Sequence, residues 1–269
     1  MLNPMWEDEK ELAAEFARHR ISPEEHLLVA DGGAGEVLGL SGFLRPTGAE
    51  AAGLFCPIVD RRERGRGLGG ELLRAALDHG LRNLGIRVAT AGIGTRNRAG
   101  YALLTAHGFR PLRQHFLMRC DRKPEPGRPP VANLELAPAE TSDLASILEI
   151  YAACGFDARS AEEMRELFED GRHVHAVARH DGKVVAFAEL ETHWPRRSWV
   201  SFVGVASELR DRGVGSALVA WAVARQFDAG AEAALLLLSP SNRTAVRAYE
   251  KVGLRRARLV DVLVRGLAL

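Results

Sequence analysis

Cysteine is scarce. The chain has three, Cys56, Cys120 and Cys154, an odd number scattered without metal-ligand spacing. That excludes a disulfide framework and leaves no metal site to expect. A reducing cytoplasm is the expected setting. Long apolar runs are missing too, and none approaches the roughly 20 residues of a bilayer-spanning helix. The stretch Met1 to Glu9 is acidic and lacks the apolar core of a secretory signal. Net charge is small at +1, so no basic excess points to nucleic acid or to an acidic membrane surface. No acidic run marks a site for a polycation either. What remains is a chain of 269 residues, 46% hydrophobic, with the balance of a water-soluble globular protein of one large domain or two ordinary ones.

Glycine is plentiful, and its placement is informative. The apolar run Trp199 to Val205 reads as a buried strand, and the helical pattern Val214, Ala217, Leu218, Trp221 begins nine residues later. Between them lies Arg210-Asp211-Arg212-Gly213-Val214-Gly215-Ser216. A strand feeding a glycine-rich bend into a helix makes an anion cradle. The first helical turn has amides without intrahelical partners, and glycine removes the side chains that would hold a phosphate away. Arg210 adds a guanidinium at the rim.

The motif occurs twice. Arg64-Gly65-Arg66-Gly67-Leu68-Gly69 repeats it at an offset of 146 (210 − 64). Asn97 through Leu104 to Gly108 matches Asn242 through Tyr249 to Gly253 at an offset of 145 (242 − 97). A repeat of that length is a duplicated domain. The expected division is residues 1–121, a Pro-rich solvated linker 122–132, and residues 133–269.

Periodicity gives the elements. The first half reads as a helix Trp6 to His19 (Trp6, Leu12, Ala13 and Phe16 inward), a hairpin His26 to Leu44, and a loop Pro46 to Gly53. Strand Leu54 to Val59, helix Leu68 to Leu81, strand Arg87 to Ile93, helix Asn97 to Ala106 and strand Phe109 to Arg119 follow. The second half reads as strand Leu134 to Leu136, helices Ser142 to Cys154 and Ala161 to Glu169, and a hairpin Val174 to Glu191. After the strand and glycine bend come a helix to about Phe227, strand Ala233 to Ser239, helix Arg243 to Val252 and a last strand Arg256 to Val264.

With these residues in hand, both halves resemble the GNAT superfamily of N-acetyltransferases. The resemblance implies an α/β (α+β) fold: two GNAT-like domains, each with a mixed, mostly antiparallel, splayed sheet flanked by helices. It implies acetyl-CoA in the splay, its pyrophosphate on Arg210 to Ser216, and its pantetheine arm paired with the strand near Val203 and Val205. The cofactor-contacting segment of the repeat would include Asn242, which could equally cap its helix. The Arg64 to Gly69 loop would be the corresponding site of the first half.

Acetyl transfer to an amine needs a proton removed from the amine, a polarised thioester carbonyl and a proton for the leaving thiolate. Tyr249 is the expected general acid, and the Val205 N–H the expected oxyanion donor. Glu191 and then Glu189, on one face of the strand entering the cleft, are the candidate bases beside His193 and a water chain. The first half departs from this pattern. Leu104 stands where Tyr249 stands, and Pro57 removes an N–H from the feeding strand. The expected activity is acetyl transfer from acetyl-CoA to a primary amine of a small molecule or peptide N-terminus, in the C-terminal half. The competing reading is a CoA-binding or sensing scaffold without turnover. A nucleotide-triphosphate or dinucleotide site is disfavoured, because no lysine follows Gly215 and Gly-x-Gly-x-x-Gly is not completed.

Overall fold

The computed structural model describes residues 9–18, 21–44, 50–157, 159–194 and 196–268. In chain order the elements are α1 (Glu9–Arg18), α2 (Pro23–His26), β1 (Leu27–Asp31), β2 (Val37–Phe43), β3 (Ala51–Val59), α3 (Leu68–Arg82), β4 (Val88–Gly94), α4 (Arg98–Ala106) and β5 (Arg110–Cys120). Then follow β6 (Leu134–Pro138), α5 (Leu144–Ala153), α6 (Ala161–Glu169), β7 (His173–His180), β8 (Lys183–Trp194), β9 (Arg197–Val205), α7 (Val214–Asp228), β10 (Ala233–Leu238), α8 (Arg243–Lys251) and β11 (Arg255–Gly266). Trp6 lies outside the described residues. Ala13 is exposed, while Leu12 and Phe16 pack on Ile21, Leu44 and Phe55. The expected loop before β3 is shorter than read, because Ala51 to Gly53 already pair with β4.

Two compact units result. The first is Met1–His115 with Arg258–Leu269, the second Phe116–Ala257. In unit 1, β1, β2 and β3 are antiparallel neighbours, and β3 meets β4 in parallel. In unit 2, β6, β7, β8 and β9 are antiparallel neighbours, and β9 meets β10 in parallel. Each unit thus has the mixed, mostly antiparallel sheet expected of it. The covering helices follow their apolar stripes: α3 buries Leu72, Leu73, Ala76 and Leu77, and α7 buries Val214, Leu218, Val219, Ala222 and Val223. Each fully buried leucine contributes about 1.5–3 kcal/mol of transfer free energy.

The division of the chain departs from expectation at two strands. Residues 109–119 and 256–264 were each expected to close their own half. Instead Phe116–Cys120 of β5 pair with Leu238–Ala234 of β10 in unit 2, and Val260–Gly266 of β11 pair with Gly94–Val88 of β4 in unit 1. Packing gives the reason. Leu263 is fully buried among Phe43, Ala89, Ala91 and Leu104, and Met118 sits in the core that holds Leu218, Ala234 and Leu236. Arg265 donates to the His107 carbonyl at 2.6 Å, and Gln114 to Asp261 at 2.7 Å. Periodicity marks a strand but not its neighbour, so this pairing was illegible.

The Pro-rich stretch 121–132 also belongs to unit 2. It has no regular secondary structure, yet Pro124 is buried, Val131 packs on the core, and Lys123 reaches Asp228 at 2.6 Å. It is partly packed rather than a fully solvated linker.

Leu263→Ala should therefore cost about 2–5 kcal/mol and loosen unit 1, although the residue lies near the far end of the chain. Hydrogen exchange should show lost protection at Val88–Gly94 before any in β7 and β8; loss confined to β7–β9 would contradict this pairing.

Candidate active site

In both units the two parallel strands part early. β9 and β10 share only three pairs, Arg197 to Trp199 with Ala233 to Leu235. Past Trp199, β9 continues to Val205 paired only with β8 among the described residues. The ladder fixes which amides are left. The Ala206 N–H donates to the Val185 carbonyl at 2.8 Å, so by antiparallel alternation Gly204 and Phe202 also face β8. Val203 and Val205 then turn their N–H and C=O groups towards the gap that opens beside β10.

Arg210 closes this strand end. Its Nε donates to the Val205 carbonyl at 2.9 Å and its Nη2 to the Ala153 carbonyl at 3.2 Å. The expected rim guanidinium is thus first a brace that holds the bend on its strand. Asp211 at φ 60° and Gly213 at φ 85° turn the chain, the glycine without steric cost. Gly213 is the N-cap of α7, and no side chain caps that helix among the described residues. The first intrahelical bond is Ala217 N–H to the Gly213 carbonyl at 3.0 Å, which leaves the amides of Val214, Gly215 and Ser216 at the helix head. A Cβ on Gly215 would come within 3.2 Å of Val205 Cγ2, so the helix could not approach the strand this closely with a larger residue. Bare amides, a helix N-terminus and an unpaired strand edge fit a diphosphate carrying an extended amide-bearing arm.

Unit 1 repeats the brace. Arg64 Nε donates to the Val59 carbonyl at 3.0 Å, and Gly65 and Gly67 stand at φ 79° and 92°. Arg66 is bound to Glu63 at 3.1 Å, and Leu68 and Gly69 open α3. Asp60 N–H donates to the Leu38 carbonyl at 2.8 Å, which by the same alternation turns Val59 and residue 57 to the gap side. Residue 57 is proline, with no N–H to offer. Leu104, the counterpart of Tyr249, is a fully buried core residue, and Tyr101 packs beside that core.

Tyr249 packs against the unit 2 core from α8, and burial pushes its phenol up to about 12. It is a protonated donor at any physiological pH. Asn242 accepts from the Ala245 N–H at 3.1 Å, so the helix-capping reading is realised.

The candidate bases sit in a buried polar cluster. The ladder places His173 opposite Glu191 and His175 opposite Glu189. Glu189 is 1% exposed and bound to Arg159 at 2.6 Å, with the His173 and His175 rings at 3.7 and 3.8 Å. Burial raises its carboxyl, but the two rings and Arg159 outweigh that and hold it well below the usual carboxylate range. Glu191 accepts from Ser201 Oγ at 2.5 Å and lies 3.7 Å from His193 Nε2. Arg159 stacks over Phe202 and Tyr151. Of this cluster the sequence reading named Glu189, Glu191 and His193, and it missed Arg159, His173, His175 and Ser201. A signal was present: polar residues at alternate positions of two otherwise apolar adjacent strands. Cys56 is inert by comparison, its thiol pushed up to about 12 by burial. Among the described residues no helix is long and apolar enough to cross a membrane.

The model of the acetyltransferase (GNAT) family matches this sequence twice, over residues 2–109 and 144–254. Among solved structures, a GCN5-related N-acetyltransferase from Sphaerobacter thermophilus is similar over 97% of this chain and 91% of its own, with 18% identity and a TM-score of 0.76. A tandem GNAT protein from the clavulanic acid biosynthesis pathway is similar over 100% of this chain and 90% of its own, with 17% identity and a TM-score of 0.73. A GCN5-related N-acetyltransferase from Kribbella flavida covers 94% and is covered over 95%, with 17% identity and a TM-score of 0.62. None of the curated proteins matches the sequence.

The raised phenol gives a pH dependence with a definite sign. Above pH about 10 the unfolded chain ionises its tyrosines, while folded Tyr249 keeps its proton to about 12. Stability should fall as pH rises through that window. Tyr249→Phe should flatten the decline in a urea-midpoint series from pH 9 to about 12, and an unchanged slope would show that the phenol is not buried in solution.

Proposed function

Because this chain belongs to the acetyltransferase (GNAT) family, we propose that unit 2 transfers acetyl from acetyl-CoA to the primary amine of a small molecule or peptide N-terminus. The observation that carries this reading is the gap beside β9. Val203 and Val205 face it, and the uncapped head of α7 lies at its end.

In this reading the coenzyme's diphosphate lies on the amides of Val214, Gly215 and Ser216, with Asp211, Arg212 and Gly213 shaping the bend and Arg210 bracing it. Its amide-bearing arm pairs with Val203 and Val205. A bond forms between the amine nitrogen and the acetyl carbon, and the carbon–sulfur bond breaks. The acceptor sheds two protons in all, one before attack and one afterwards. Glu191 takes the first, directly or through a water, and passes it to solvent. Glu189 is the weaker choice, because Arg159 already holds it as an ionised partner. Tyr249 gives a proton to the departing sulfur and recovers one from the nitrogen, so the ledger closes. The Val205 N–H donates to the carbonyl oxygen as it gains charge. Holding the two reactants in line supplies much of the rate.

Unit 1 has a second, narrower reading. It keeps Arg64, Gly65, Arg66, Gly67, Leu68 and Gly69, but Pro57 removes an amide from its strand edge and Leu104 removes the acid. It binds the coenzyme without turning it over, or serves only as scaffold.

Calorimetric titration of the intact protein with CoA tests the assignment. Gly215→Glu should abolish both transfer and the unit 2 binding event, and Gly67→Glu should remove a second event while sparing transfer. Loss of transfer in Gly67→Glu alone would reverse the roles of the units. CoA binding without transfer to any of a panel of amines would instead favour a sensing or scaffold protein.

Tyr249→Phe should lower kcat by roughly 100-fold while leaving coenzyme affinity little changed; an unaltered kcat would remove Tyr249 as the acid.

A further inference from the structure

At the corner where α6 ends and β7 begins, the chain brings together three groups that the transfer reaction does not use. Asp170 follows α6, His173 opens β7, and His193 stands near the end of β8. The two imidazoles point the same atom at each other, with Nε2 to Nε2 at 3.2 Å. One ligand atom from each of Asp170, His173 and His193 lies within 4.8 Å of the other two. We propose that His173, His193 and Asp170 bind one borderline transition-metal dication of the zinc class, with a fourth position left to water.

The donor set and its spacing support this. Tetrahedral ligands held at 2.0–2.1 Å from a metal stand about 3.3 Å from one another. The two imidazole nitrogens are already at that separation. Two imidazoles and one carboxylate suit zinc, cobalt or nickel rather than calcium or magnesium, which take oxygen.

The surroundings add an independent observation. A metal-bound histidine commonly turns its other ring nitrogen to a carboxylate, which fixes the ring and its tautomer. His173 Nδ1 faces Glu189 Oε1 at 3.7 Å. Both atoms are buried and lack a hydrogen-bond partner, an expense that a small rotation of the ring onto a metal would remove. Glu189 is itself anchored by Arg159 at 2.6 Å, so the outer carboxylate is held in place. Glu191 Oε2, 3.7 Å from His193 Nε2, adds negative charge beside the site.

Asp170 needs the largest adjustment. Its Oδ1 accepts from the Arg172 backbone and Nε at 3.0 and 2.9 Å, and its Oδ2 from Arg172 Nη2 at 2.9 Å. A carboxylate oxygen has a second lone pair, so Oδ2 can turn to a metal while Oδ1 keeps both of its Arg172 contacts. The corner is otherwise stiff, with the His173 N–H donating to the Asp170 carbonyl at 2.8 Å. Without a metal, the two imidazoles share one proton across the 3.2 Å contact, which is the competing account.

The test uses the full chain, free of any affinity tag and stripped with a chelator, titrated with Co²⁺ alone. The expected result is a visible d–d absorption of low coordination number that saturates at one equivalent, with a rise in the thermal midpoint. His173→Gln and His193→Gln should each abolish the absorption while melting normally in chelator. Asp170→Asn should weaken binding at least tenfold, and it keeps the proposal testable should either histidine variant fail to fold. No absorption and no midpoint shift at millimolar Co²⁺ would leave only the shared proton and overturn the proposal. Absorption that persists in both histidine variants, or that carries a thiolate charge-transfer band, would overturn it as well.

Discussion

Everything at the candidate site depends on two parallel strands that stop pairing after three residues. Sheet hydrogen bonding is obligatory for buried backbone, so a strand that loses its neighbour exposes a need. β9 meets that need on one side through β8 and, among the described residues, leaves Val203 and Val205 without a strand partner on the other. The Arg210 brace then takes up the Val205 carbonyl and sets the helix head where the gap ends. A ligand with a polar extended arm and an anionic end answers both demands at once. Unit 1 repeats the brace with Arg64 on the Val59 carbonyl, while Pro57 leaves one amide fewer on its strand edge.

The copies differ at positions in and around the strand end and the helix that follows. Proline is tolerated at residue 57 because, among the described residues, that strand edge pairs with β4 only at Ala51–Gly53 and has no sheet partner to lose there. Glycine at 65 and aspartate at 211 take the same left-handed turn. Leu104 fills with hydrocarbon the place where Tyr249 carries a hydroxyl. Leu104 is fully buried in the unit 1 core, whereas Tyr249 is partly buried against the unit 2 core.

Much of this was legible in the sequence, for physical reasons. The bends Arg64 to Gly69 and Arg210 to Ser216 were readable because glycines there meet a backbone demand that few other residues meet. Helices α3, α6, α7 and α8 were readable because one stripe of each faces a core. The cap at Asn242 followed from residue type alone. Partnership was not readable. Nothing in Phe116–Cys120 or Val260–Gly266 says which strand they will lie beside, since alternation marks two faces and no neighbour. The polar cluster around Glu189 was half visible, because Arg159 and the β7 histidines join it only once the ladder register is known.

The placement of β11 also bears on how such a protein can change over time. Residues 260–266 supply a strand to the unit built mainly from residues 1–115, and residues 116–120 supply one beside β10 in the other unit. A deletion that discards either repeat at its apparent border therefore strips a core strand from the survivor. Neither repeat can be removed along its sequence border without breaking the sheet of the other, so architecture alone ties the two together.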